Sequence, residues 1–351
     1  MFTGPRKCRE SESEIMQGYK IHVQSGILLN ANEASQNVNE TVKQEIIDAI
    51  SNLSLNRYPD TTCHQLHRLY AEVMNVPSSW ILSGNGSDQM LGFLIQYYLQ
   101  ENKILYTLSP DFSMYDYYVG LNHSKIEKYE TNQDGSFDVE AFISNGKDKN
   151  VDMVLFSNPN NPTGHAITLC EMEKISEAFK DIPVIFDEAY MEFGKESAVC
   201  LLKEYPNVFV CRTLSKAYGL AGIRCGFMIS SQVEKLSALF IPYALSSVTQ
   251  TIASVVLRHA DEYKDTIATI ISERERMYQE VKEFKQLTMY PSNANFLFGR
   301  SEKKDLLLAM FKEKNITIRN YEDASFRITI GTKEENEMVL DVLRRFEYAN
   351  S

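Results

Sequence analysis

Five short apolar runs punctuate the middle of this 351-residue chain: Ile104–Leu108, Val151–Phe156, Val184–Phe186, Val208–Cys211 and Phe227–Ile229. They alternate with helix-period stretches such as Asp88–Gln100 and Thr168–Phe179, the second opening with Thr168 and Glu171 at capping-box spacing. Strands that are apolar on both faces need cover on both faces, and strands joined through helices run parallel. The pattern predicts an α/β fold, a large doubly wound and mostly parallel sheet accompanied by a smaller α+β domain. Ligands of such sheets bind beyond the carboxyl ends of the strands, so polar residues that directly follow an apolar run come first as functional candidates.

Several such residues form an ordered set. Asn161 lies in Ser157-Asn158-Pro159-Asn160-Asn161-Pro162-Thr163-Gly164, Asp187 and Tyr190 in Asp187-Glu188-Ala189-Tyr190, and Lys216 in the run from Thr213 to Arg224. A lysine following an apolar strand and set among small residues is poised to react with an aldehyde, because partial burial near other cations lowers its pKa. An acidic residue ending a buried strand needs a cation, and a protonated pyridine nitrogen is one. Lysine, acid, phenol and a turn-held asparagine in this order point to pyridoxal 5′-phosphate. Lys216 bonds its aldehyde, Asp187 its ring nitrogen, and Tyr190 and Asn161 its 3-oxygen. Gly84-Asn85-Gly86-Ser87-Asp88, between a short strand and a helix start, suits a phosphate cup made of Gly86, Ser87 and Asp88. Its spacing does not fit a nucleotide P-loop. Thr213, Ser215 and Arg224 would complete the phosphate shell, and Phe112, after another strand end, could stack on the ring.

Arg327 sits inside the apolar run Phe326–Ile330 and Arg319 follows Ile316-Thr317-Ile318. Arginines in such places need an anion, here a carboxylate or phosphate of a substrate. His64 and His67 stand at metal-ligand spacing, but no third ligand accompanies them, so no metal is expected.

Residues 1–38 are polar and irregular apart from Ile27-Leu28-Leu29. Past Gln250 a long helical stretch runs to Lys285, then a strand at Asn295–Phe298, a helix at Lys304–Lys314, a strand at Phe326–Ile330 and a terminal helix from Lys333. The expected organisation is an arm over 1–38 joining the small domain, a large cofactor-binding domain over 39–250 and a small domain over 251–351.

A net charge of −11 argues against a nucleic-acid surface. The six cysteines form no C-x-x-C pair, and no apolar stretch approaches a signal-peptide core or a membrane span. A cytoplasmic protein with neither nucleic-acid nor membrane partner is expected.

From about Gln17 to its end the chain resembles fold-type I pyridoxal-phosphate aminotransferases, specifically the histidinol-phosphate aminotransferase family. The likeness runs through Leu29-Asn30-Ala31-Asn32-Glu33, Asn56-Arg57-Tyr58-Pro59-Asp60, Gly84–Asp88, Phe112-Ser113-Met114-Tyr115, Asn158–Gly164, Asp187–Tyr190, Thr213–Arg224 and Phe326–Thr332. The resemblance implies that Lys216 also shuttles the substrate α-proton, and that Tyr19, Asn161, Arg319 and Arg327 engage the substrate. It implies a homodimer in which Tyr58 reaches the neighbouring subunit's cofactor phosphate. The activity implied is transfer of an amino group from L-histidinol phosphate to 2-oxoglutarate. Phe112 stands where the family often has Tyr, Gln89 where it often has Glu, and the segment between Arg319 and Arg327 is short. A threonine-phosphate decarboxylase-like enzyme or an aromatic aminotransferase is the alternative. A cofactor-sensing regulator would need a DNA-binding module, for which residues 1–38 are too short and weakly basic.

Overall fold

The computed structural model describes residues 25–349. The first part of the chain contains β1 (Ile27–Leu29), α1 (Glu40–Ser51), α2 (His64–Met74), β2 (Ile81–Asn85), α3 (Ser87–Tyr98), β3 (Ile104–Ser109), α4 (Met114–Leu121), β4 (Lys125–Glu130), α5 (Val139–Asp148) and β5 (Met153–Ser157). There follow α6 (Leu169–Ala178), β6 (Val184–Asp187), β7 (Val208–Thr213), β8 (Cys225–Ile229), α7 (Val233–Ser237), α8 (Ser247–Arg258) and α9 (Tyr263–Val281). The chain closes with β9 (Thr288–Met289), β10 (Phe296–Arg300), α10 (Lys304–Glu313), β11 (Ile316–Asn320), β12 (Ser325–Thr329) and α11 (Lys333–Ala349).

Seven strands form the large sheet in the order β2-β8-β7-β6-β5-β3-β4. Only β8 runs against the others, pairing antiparallel with both β2 and β7. Its strands feed two separate cores, as period-2 alternation demands. Val154, Phe156, Val184, Phe186, Val208 and Val210 enter one, with α2, α5 and α6; Met153, Leu155, Ile185, Phe209 and Cys211 enter the other, with α3, α4 and α7. This two-sided burial is what the unbroken apolar runs encode. The capping box of α6 is present, with Thr168 accepting from the Glu171 backbone and Glu171 accepting from that of Thr168.

The second sheet has the order β1-β11-β12-β10-β9. β1 lies parallel to β11, Ile27 opposite Ile316, so this segment, early in the sequence, forms an edge of the late sheet. The helical stretch after Gln250 is not continuous: a 3-10 turn at Ala260–Glu262 separates α8, packed on α1 and α2, from α9, which packs on α11. No Gly or Pro marks that break, which is why helical periodicity alone runs through it.

Candidate active site

Every candidate from the large sheet sits at the same edge. Six of its strands run parallel, so β2 ends at the Gly86 turn, β3 at Phe112, β5 at Asn161, β6 at Asp187 and β7 at Thr213–Lys216.

Asp187 is 3% exposed, and its Oδ2 accepts from the Tyr115 hydroxyl at 2.9 Å while Oδ1 has no partner among the described residues. Desolvation pushes its carboxyl up to about 7, against the lowering effect of the Tyr115 hydrogen bond. A buried carboxylate with one open oxygen is a site for a cation or an N–H donor. Lys216 is half-buried, its Nζ donating to the Ala31 carbonyl at 3.0 Å and lying 5.8 Å from the Tyr190 ring centre. Burial first, then the Arg327 charge, lowers its amine to about 8.

Tyr190 is buried, its ring edge-on to Phe296 and its oxygen accepting from Asn32 Nδ2 at 3.0 Å. Asn161 is anchored by its backbone N–H to Ser157 Oγ at 2.9 Å, and its side-chain oxygen accepts from Arg327 Nη1. Ser157 in turn donates to Asp111, whose Oδ1 also accepts from the Phe112 N–H. The half-buried Asp111 thus ties Phe112 to the Asn161 turn, and desolvation raises its carboxyl to about 8. Phe112 meets Tyr115 edge-on, ring centres 5.7 Å apart.

The phosphate-cup candidates also converge. Arg224 Nη2 bonds Asp88 Oδ2 at 2.8 Å and Nη1 bonds Ser215 Oγ at 3.4 Å; Thr213 Oγ1 bonds Ser215 Oγ at 2.9 Å. Gly86 has φ +82°, and a Cβ there would come within 2.5 Å of Arg224 Nη2. The glycine therefore serves both the turn and the close approach of the guanidinium. Helix α3 starts at Ser87 and offers its free N–H groups to the same spot. Gln89 accepts from the Asn85 N–H at 2.6 Å, closing the turn.

Arg327 is 6% exposed, stands 5.0 Å from the Phe296 ring centre, donates Nη2 to the Asn30 carbonyl at 3.0 Å and has an Nε with no partner among the described residues. Arg319 is its Cα partner on the neighbouring antiparallel strand, which sets the two side chains on one face, and its guanidinium lies 5.8 Å from the Tyr321 ring centre. Tyr58 stands apart, 81% exposed and stacked on Tyr243 at 4.6 Å. Tyr19 lies outside the described residues. His67 is held by Ser83 Oγ at 2.8 Å, and burial drops its pKa to about 4.

The donor set fits pyridoxal phosphate. A desolvated amine faces aldehyde chemistry, a buried carboxylate oxygen awaits a ring N–H, and a glycine cradle with a helix start and an arginine suits a phosphate. Residues 24–343 match the family described as aminotransferase class I and II. The chain belongs to that family. As a class I and II aminotransferase it is a pyridoxal-phosphate-dependent transaminase, acting between a small-molecule amino donor and acceptor. It is 33% identical over 325 residues to the histidinol-phosphate aminotransferase of Clostridium kluyveri, covering 91% of this chain and 92% of that one. With the protein of the same name from Thermococcus gammatolerans it shares 35% over 322 residues, 90% of this chain and 91% of the relative. The fold matches that of the histidinol-phosphate aminotransferase from Sinorhizobium meliloti, solved with pyridoxal-5′-phosphate, at a TM-score of 0.83 and 22% identity over 93% and 92% of the two chains.

Two polar contacts of this aminotransferase site escape a reading of sequence: Tyr115 on Asp187 and Asn32 on Tyr190. They join residues 72 and 158 positions apart. The local signs are that both residues lie in segments that carry the resemblance and that Tyr115 falls one turn after Phe112 at the start of α4.

Proposed function

We propose that this transaminase moves the amino group of L-histidinol phosphate to 2-oxoglutarate, giving imidazole acetol phosphate and L-glutamate. The observation that carries the reading is a desolvated lysine amine and a buried carboxylate with an open oxygen at one end of the large sheet, met there through Asn161 by a buried arginine of the second sheet. The names of the relatives support the choice of donor. Pyridoxal phosphate, when bound, supplies an aldehyde that takes up the donor's amine and a ring that delocalises charge from the α-carbon.

The chain's own residues do the rest. Lys216, lowered to about 8, is half neutral at that pH, so it can act as nucleophile and then take the α-proton on Nζ as general base. Asp187 Oδ1 pairs with the ring nitrogen and keeps it protonated. Tyr190 and Asn161 bind the 3-oxygen, and Phe112 covers the ring face. Gly86, Ser87, Asp88, Thr213, Ser215 and Arg224 hold the phosphate, Asp88 through its backbone N–H while its carboxylate fixes Arg224. Arg327, with Arg319 beside it and Tyr19 from the arm, anchors the anionic group of the substrate; Asn161 bridges the ring and substrate sides through its contact with Arg327.

We also read the active form as a homodimer. Tyr58, Leu55, Leu239, Ile241 and Tyr243 are all substantially exposed, and the Tyr58–Tyr243 stack draws their two loops into one apolar surface. From there Tyr58 reaches the partner's phosphate cup. The division into an arm (1–38), a large domain (39–250) and a small domain (251–351) is supported by the two separate sheets. A cytoplasmic setting accords with the free thiols of Cys63, Cys170, Cys200, Cys211 and Cys225.

The test is a steady-state screen with 2-oxoglutarate of histidinol phosphate against phenylalanine, tyrosine and threonine phosphate. Glutamate formation fastest with histidinol phosphate is expected. A preference for an aromatic amino acid by orders of magnitude, or release of carbon dioxide without glutamate, contradicts the assignment.

A further inference from the structure

We propose that Tyr115 is a positioning residue for the reaction: its hydroxyl holds Oδ2 of Asp187, fixes the plane of that carboxylate and favours its ionised form, so that Oδ1 is presented to the cofactor's ring nitrogen. The inference rests on the pyridoxal phosphate reading above. Tyr115 is 1% exposed at the start of α4 and packs in the core that α3 and α4 form against the Ile185 side of the sheet. Its ring meets Phe112 edge-on, so one short segment supplies both the ring-covering residue and the hydroxyl.

The direction of the hydrogen bond is fixed by chemistry. Burial holds the Tyr115 phenol far above its ordinary value, so it keeps its proton and donates. An ionised carboxylate can only accept. Besides Tyr115, the Ala189 backbone N–H favours the Asp187 charge, while the Asp88, Asp111 and Glu188 carboxylates oppose it, with Tyr190 and Cys211 as the remaining titratable neighbours. Among the described residues Tyr115 is the side chain that hydrogen-bonds Asp187. Hydrogen bonds to charged groups are the strong ones, and here one oxygen is occupied while the other is left open.

A buried tyrosine that merely satisfies its hydroxyl would produce the same contact, but not the same titration. Loss of the donor makes Asp187 more basic and moves the shared proton from the ring nitrogen toward Oδ1. The ring then withdraws less charge, and the bond at Lys216 becomes easier to protonate. In the Tyr115→Phe holoenzyme the pH midpoint of the visible absorbance band therefore rises by about half a unit to one unit, a roughly three- to ten-fold change in proton affinity. The fall in kcat exceeds the rise in KM. Tyr115→3-fluorotyrosine, a more acidic donor of nearly equal size, moves the midpoint the other way and decides the matter if the Phe variant folds poorly. A wild-type visible band with a midpoint that neither substitution moves overturns the role of Tyr115 alone. A wild-type protein that shows no visible band with pyridoxal phosphate overturns the cofactor reading and this inference together.

Discussion

Asp187 and Glu188 are neighbours at the end of one buried strand, and the structure treats them in opposite ways. Asp187 follows the face of Ile185 toward Tyr115 and keeps one oxygen open. Glu188, one residue on and therefore on the other face, is saturated: it pairs with Arg212 at 2.8 Å and accepts from Ser197 Oγ at 2.7 Å and the Ala198 N–H at 2.6 Å. Arg212 also bonds Glu192 at 2.9 Å. Burial raises both carboxyls, but only that of Glu188 is answered by a fixed cation. A buried charge that the protein completes for itself holds structure, and one left half-complete awaits a ligand.

Four substitutions test that contrast, the strongest first. Lys216→Ala, on the open side, abolishes turnover and the visible band while urea unfolding of the apo-protein barely changes; a yellow, active variant breaks the contrast at its root. Arg212→Met, on the closed side, strands the Glu188 carboxylate and lowers unfolding free energy by about 3–5 kcal/mol. The folded fraction should titrate as wild type does.

Asp187→Asn separates the faces by sign. An unfolded aspartate titrates near 3.8 and the folded one at about 7, so the folded state binds the extra proton. The contribution of Asp187 to apo wild-type stability is therefore fully present below pH 3.8 and lost as pH rises through about 7. The Asn variant escapes this loss, so it melts above wild type at pH 8 and the gap closes toward pH 4. A variant that melts below wild type at pH 8 would place Asp187 among the structural charges. The smallest effect belongs to a partly exposed group of three. His259 is raised by hydrogen bonds to Glu262 and Glu45, linking α1 to the α8–α9 elbow. Its contribution is fully present below pH 6.5 and fades as pH rises through the folded value, so His259→Gln loses less than about 1 kcal/mol at pH 6 and nothing at pH 9.

The parallel strands are legible because burial on both faces writes them as apolar runs, and the site residues because each directly follows one. β4 is not legible that way. Its sequence Lys-Ile-Glu-Lys-Tyr-Glu lies at the sheet edge, where half its side chains meet water and period-2 apolar content is weak. β1 reads as an isolated apolar triplet because its pairing strand lies nearly three hundred residues away, Ile27 against Ile316. Tyr115 and Asn32 fall within the segments that carry the resemblance, but their roles stayed unread for a related reason: each acts through one hydrogen bond to a distant partner, and no spacing rule reports such a bond.

The central claim is tested most directly by reconstituting the protein with pyridoxal phosphate, reducing it with borohydride, and mapping the modified peptide by mass spectrometry. A single phosphopyridoxyl group on Lys216 is the result expected. Modification of another lysine, or of none, would contradict the account.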